Sequence, residues 1–272
     1  MSLFSDPEQA LAWITRLVAI GVFLDAAEQL YCWREFRNEG ALSWRWLRTS
    51  RAFALRKLVP RGLTDLIFEF PALIWLISFR GLAALVLIAL PGQQWPATLA
   101  LLLLFVIGSL LNLRAAAYGV DTPNRLSVVI VGALLLQRAA PGSNLVSEIC
   151  LWFIAAQACV SYATAGVAKV FNQGWRRGAG LLNIARAATS GLPLRLARFF
   201  QSQQTLARVL TWSIIVMECA FPLVLLTKPP LSFLFLGWGL LFHLAIAALI
   251  GFNRFLWSWL AMYPALVYVT QT

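Results

Sequence analysis

Apolar runs long enough to cross a lipid bilayer recur along this 272-residue chain, and they constrain its fold before any other feature does. The runs 96–111 and 229–252 contain no Asp, Glu, Lys or Arg at all. About 20 such residues span the hydrocarbon core as a helix. Within lipid only helices and closed barrels satisfy every backbone polar group. Barrel strands alternate apolar and polar residues over short segments, and these runs are continuous. Charged residues make up 12% of the chain and hydrophobic ones 60%, where a soluble domain carries about 25% charge. The reading is an all-α, polytopic transmembrane helix bundle: a multi-pass integral membrane protein whose first partner is the lipid bilayer.

Pro, Gly and basic clusters cut the chain into about eight spans, near 8–32, 66–90, 94–113, 124–139, 145–170, 205–227, 231–250 and 253–270. One membrane domain over 1–272 accounts for all of them. The first stretch is long, starts acidic and contains Asp25 and Glu28, so it reads as a span rather than a cleavable signal. Two basic segments interrupt the series. The first, 34–61, holds Arg34, Arg37, Arg45, Arg48 and Arg51. The second, 172–204, holds Arg176, Arg177, Arg186, Arg195 and Arg198. With eight spans both lie on one side, which the positive-inside rule places in the cytoplasm, with both termini outside. Within them, 43–58 and 179–200 mix Trp and Leu with Arg as two interfacial amphipathic helices would. The net charge of +11 therefore reads as orientation and attraction to anionic headgroups, and nucleic acid is not an expected partner.

Ionisable residues inside spans are costly and mark candidate sites. Lys169 closes the fifth span, two turns after Tyr162 on one face, with Ala165 and Gly166 between them. Small residues there let another helix or a ligand come close. A lysine so placed is a candidate base, or it snorkels to the headgroups. His243, the single histidine, lies mid-span with Gly239 one turn before it; it reads as a proton shuttle or as a neutral imidazole bonded across to another helix. Glu218 stands four residues before Pro222, which cannot donate to the carbonyl of residue 218 and so bends the helix there. Arg80, Arg16 and Lys169 are its candidate partners. Cys32, Cys150, Cys159 and Cys219 form no CxxC pair and read as free thiols. Neither their spacing nor a lone histidine points to a metal, and the common nucleotide and hydrolase motifs are missing.

The string Tyr162-Ala163-Thr164-Ala165-Gly166-Val167-Ala168-Lys169, followed by Trp175 and Gly178, resembles the membrane domain of vitamin K-dependent γ-glutamyl carboxylases. It is similar as well to stand-alone bacterial HTTM-domain proteins. Glu218-Cys219-Ala220-Phe221-Pro222, Phe242-His243-Leu244, then Phe255, Trp257 and Tyr263-Pro264 look like the rest of that pattern. The carboxylases add a large extramembrane part after this domain, whereas the last span here ends close to Thr272. The resemblance implies a catalytic role for Lys169, as the base that deprotonates a hydroquinone, and for His243. It implies that Tyr162, Gly166, Glu218 and Trp175 line the cofactor site. A quinone or another lipophilic small molecule is the implied cofactor, a peptide undergoing modification or maturation the implied substrate, and the bacterial inner membrane the implied location. The alternative from the residues is a non-catalytic scaffold, assembly factor or subunit of a larger membrane complex; twelve tryptophans suit such interfaces.

Overall fold

The computed structural model describes residues 3–4, 6–49, 60–116, 122–187, 191–251 and 253–271. These residues are mostly helical and contain no strand. The fold is an all-α helix bundle, and six of the described helical segments are long and apolar enough to cross a membrane: Pro7–Tyr31, Ala72–Ala89, Gln94–Ala115, Asn144–Phe171, Gln204–Leu226 and Leu231–Ala248.

Eight spans were expected, and two of the eight do not qualify. The span at 124–139 is a helix, Thr122–Ala139, but Asn124, Arg125, Gln137 and Arg138 occupy its two ends and leave too short an apolar middle. The span at 253–270 is broken into Asn253–Leu260 and Tyr263–Gln271. Pro264 has no N–H for the carbonyl of residue 260, so one helix cannot run through, and the chain turns at Ala261–Met262 before restarting. Pro71 divides the expected 66–90 in the same way, into Arg61–Phe68 and Ala72–Ala89. Pro222 closes Gln204–Ala220, and the tighter helix Phe221–Leu226 follows it. The amphipathic segment 43–58 shows the short helix Trp44–Leu47, and its residues 50–58 lie outside the described ones. The segment 179–200 forms two helices, Ala179–Ala187 and Gly191–Ser202.

In chain order the helices are α1 (Pro7–Tyr31), α2 (Trp44–Leu47), α3 (Arg61–Phe68), α4 (Ala72–Ala89), α5 (Gln94–Ala115), α6 (Thr122–Ala139) and α7 (Asn144–Phe171). They continue as α8 (Gln173–Arg176), α9 (Ala179–Ala187), α10 (Gly191–Ser202), α11 (Gln204–Ala220), α12 (Leu231–Ile250), α13 (Asn253–Leu260) and α14 (Tyr263–Gln271).

The chain divides into two compact units, residues 11–150 and residues 1–10 with 151–272. In the first, Ala26, Phe36, Leu73, Ile77, Ile107 and Leu111 pack as one core. Helix α4 shows which solvent this unit is made for. Trp75, Phe79 and Leu82 are 64%, 56% and 57% exposed along one stripe, while Arg80 on the other side is 2% exposed. A helix that buries its arginine and exposes its large apolar residues is built for lipid. The buried arginine is fully engaged. Its Nη1 donates to Asp25 Oδ2 at 2.5 Å and its Nη2 to Asn124 Oδ1 at 2.8 Å. Asn124 Nδ2 in turn donates to Gly108 O at 3.0 Å and to Asn112 Oδ1 at 2.8 Å. Gln29 Nε2 donates to the second Asp25 oxygen at 2.9 Å. This network ties α1, α4, α5 and α6 together and gives Arg80 a partner, Asp25, that differs from the expected Glu218. Arg16, also considered for Glu218, lies over the Trp13 ring.

Trp44 likewise departs from its expected lipid-facing role. It is buried, packs edge-on against Phe68 with ring centroids 4.9 Å apart, and donates from its indole to Asp65 Oδ1 at 2.8 Å. Trp46, two residues on, is exposed.

In the second unit α9 packs on α10, α12 on α13, and the Phe221–Leu226 turn on α14. The backbone N–H of Leu3 donates to Gln271 Oε1 at 2.8 Å, which ties the first residues to α14. Gly251 ends α12 in the left-handed conformation, with φ +81, a geometry that glycine reaches without strain.

Candidate functional site

The second unit brings together most of the residues singled out from the sequence. Its starting point is Gly166. A methyl group built there would lie 2.8 Å from both the backbone nitrogen and Sγ of Cys219, and 3.0 Å from Glu218 Cβ. Only glycine leaves α11 room to come this close to α7. One turn along α7, Lys169 reaches Glu218: Nζ donates to Oε1 at 2.7 Å and to Oε2 at 2.6 Å. The Glu218 side chain is 3% exposed and that of Lys169 16%. Trp175, on α8, completes the surroundings with its ring centroid 5.0 Å from Nζ. Of the three partners considered for Glu218, Lys169 is the one it has.

We expect Gly166→Ala to force α7 and α11 apart, at a cost of about 1–3 kcal/mol from overpacking. Thermal unfolding of the purified variant measures this. An unchanged melting temperature would mean that the two helices are not held together at Gly166.

Toward the N-terminus of α7, Tyr162 is buried in an aromatic cluster. It stacks on Phe221 with centroids 3.8 Å apart, and Trp259 and His243 lie at 4.1 and 5.7 Å. His243, 3% exposed, stacks on Trp259 at 4.8 Å with the planes 20° apart. Lys169 follows Tyr162 two turns along α7, and Phe221, on which Tyr162 stacks, follows Glu218 by three residues. Neither ring nitrogen of His243 has a hydrogen-bond partner among the described residues. The hydroxyls of Tyr162 and Tyr263 approach each other without forming a hydrogen bond of good geometry. Both point at Gly239, where a methyl group would lie 2.7 and 2.6 Å from them. The bond across to another helix, one of the two readings of His243, is not made among the described residues. Unsatisfied buried polar atoms cost about 1–3 kcal/mol each and call for an explanation.

The site thus has two adjoining parts, an ion pair under an indole and an aromatic cluster with unbonded polar atoms. Sequence reasoning missed Trp259 and also Trp238, whose ring centroid lies 6.3 Å from that of Tyr162. It singled out Trp257, whereas Trp259 packs on both Tyr162 and His243. The available signal was the Trp-x-Trp spacing in a short amphipathic helix, which does not say which indole turns inward. No group of three or more His, Cys, Asp or Glu gathers among the described residues in a way that could hold a metal ion. In comparisons with known proteins, the chain matches no family model, no curated protein and no solved structure.

Proposed function

We propose that this protein is a membrane enzyme of the HTTM and γ-glutamyl carboxylase kind. In this reading it sits in the bacterial plasma membrane, binds a quinone-like lipophilic molecule and supports modification or maturation of a peptide. The observation that carries the reading is a buried Lys169–Glu218 pair beside an aromatic cluster whose His243 nitrogens are unbonded.

A quinone suits such surroundings. It has a flat ring for Trp259, Phe221 and Tyr162 to pack on, and oxygens that His243 can meet. When bound, a reduced quinone supplies reducing equivalents and a weakly acidic hydroxyl. The chain's own residues do the rest. Lys169 passes a proton to Glu218 across the 2.6 Å contact, which frees the lone pair on Nζ. Nζ then accepts the proton of the ligand hydroxyl, so that the net transfer is one proton from ligand to carboxylate. His243 orients the ligand oxygen through whichever ring nitrogen faces it, and the aromatic walls exclude water.

The second reading, a scaffold or subunit of a larger complex, is favoured by the same ion pair. Lys169 spends two N–H donors on Glu218, as a structural bridge between helices does. To decide, the purified protein in nanodiscs is given a reduced naphthoquinone and a glutamate-containing peptide, with dioxygen as the oxidant and bicarbonate in the buffer. Native mass spectrometry follows bound quinone, and liquid chromatography follows quinol consumption. The enzyme reading expects stoichiometric binding that His243→Phe weakens, together with consumption of the quinol. A protein that binds no naphthoquinone and co-purifies with stoichiometric membrane partners is a scaffold.

A further inference from the structure

Lys169 is the more open half of the ion pair, 16% exposed against 3% for Glu218. What lies over it is the turn that follows α7, and several independent contacts hold that turn in place. Asn172 Oδ1 accepts from the backbone N–H groups of Gly174 at 2.9 Å and Trp175 at 3.2 Å, which caps α8 and sets the direction in which Trp175 leaves the chain. Gly178 follows at φ +86 with its α-carbon side against Arg208, where a methyl group would lie 3.1 Å from the Arg208 α-carbon. Trp212 on α11 donates from its indole to Arg176 O at 3.2 Å. Gly180 leaves the space in which the Trp175 indole rests: a methyl group there would lie 2.4 to 2.8 Å from three ring atoms. The outcome of these contacts is an indole 5.0 Å from the Lys169 ammonium.

We infer that Trp175 is the positioning residue of the Lys169–Glu218 pair, and that the turn carrying it covers the side from which a reactant reaches the amine. This rests on the reading of Lys169 as the functional amine, and it assigns Trp175 to the lysine rather than to a cofactor. The ammonium is held between a carboxylate and the negative face of an aromatic ring. Two of its three N–H donors are used by Glu218, and the ring attracts the remaining charge without taking a hydrogen bond. The amine is thereby kept in one orientation, with the Trp175 ring over its outward face.

The test needs no quinone and no peptide. The folded protein in nanodiscs is treated with trace acetic anhydride at fixed pH, and acetylation of Lys169 is followed by peptide mass spectrometry against the exposed Lys228 as internal standard. Trp175→Leu is expected to raise the Lys169 rate by about three- to tenfold, the range a partly desolvated cation–π contact corresponds to. Trp175→Phe, of similar size to leucine but with an aromatic face, is expected to stay near wild type. Gly180→Ala keeps the tryptophan and displaces its ring, and is expected to behave as Trp175→Leu does. Equal rates for Trp175→Leu and Trp175→Phe, or a wild-type rate for Gly180→Ala, overturn the proposal. Either result can occur whether or not the protein turns out to bind a quinone, so failure here and failure of the enzymatic reading are told apart.

Discussion

Asp25→Ala is expected to destabilise the folded protein by about 3–5 kcal/mol, the loss typical of breaking a buried ion pair on one side only. The reason lies in what is left behind. Arg80 is 2% exposed and its guanidinium cannot shed its charge. With the carboxylate gone, Asn124 Oδ1 remains as its neighbour at 2.8 Å, a dipole in place of a charge. Gln29 loses its acceptor as well. Asp25→Asn keeps an oxygen for both donors and is expected to cost less. The double variant Asp25→Leu with Arg80→Met removes both charges, and is expected to recover most of the stability, because apolar residues of similar volume often replace a buried pair without loss. Denaturant titration in detergent micelles, followed by circular dichroism, measures all three. A loss for Asp25→Ala below about 1 kcal/mol, the worth of an exposed bridge, would show that water or headgroups reach Arg80.

The second large effect concerns Lys169. Arginine at this position keeps the positive charge and the bridge to Glu218, but it cannot act as a base because its guanidinium stays protonated. Quinol consumption is therefore expected to fall about 10²–10⁴-fold in Lys169→Arg, the usual worth of a positioned base, while the quinone still binds. Lys169→Met removes the charge too. It leaves Glu218 as a buried carboxylate without its cation, and is expected to cost about 3 kcal/mol. Glu218→Gln should cost less, since the lysine stem can turn its ammonium toward the headgroups. Full turnover by a folded Lys169→Arg protein would remove the base and leave the bridge as a structural element between α7 and α11.

Particular residues show what was readable before the fold was known. The ends of α1, α5, α7 and α12, and of the apolar segment Gln204–Leu226, fall within a few residues of the expected spans, because a stretch of apolar residues of bilayer length acts as a unit along the chain. The breaks at Pro71 and Pro264 were visible as prolines, yet their effects differ. Pro71 shortens a span that remains long enough to cross, whereas Pro264 removes a backbone donor between two short helices and so removes a span. Lys169, Glu218, Tyr162 and His243 were found because an ionisable or polar group within a span stands out against its neighbours. Their partners were another matter. Arg80, Arg16 and Lys169 were all candidates for Glu218; the fold gives it Lys169 and pairs Arg80 with Asp25. Trp257 was singled out, and the fold turns Trp259 inward.

The chain's order of residues determined by itself that this is a helical membrane protein, roughly where its helices run, and which costly side chains they carry. Those properties depend on hydrophobicity and backbone hydrogen bonding within a single stretch. Only the tertiary structure decided that Lys169 meets Glu218, 49 positions away, and that Asp25 meets Arg80, 55 positions away. Such meetings depend on which faces of two helices touch. That in turn depends on where a glycine such as Gly166 lets them approach, a relation between distant segments that neither segment carries alone.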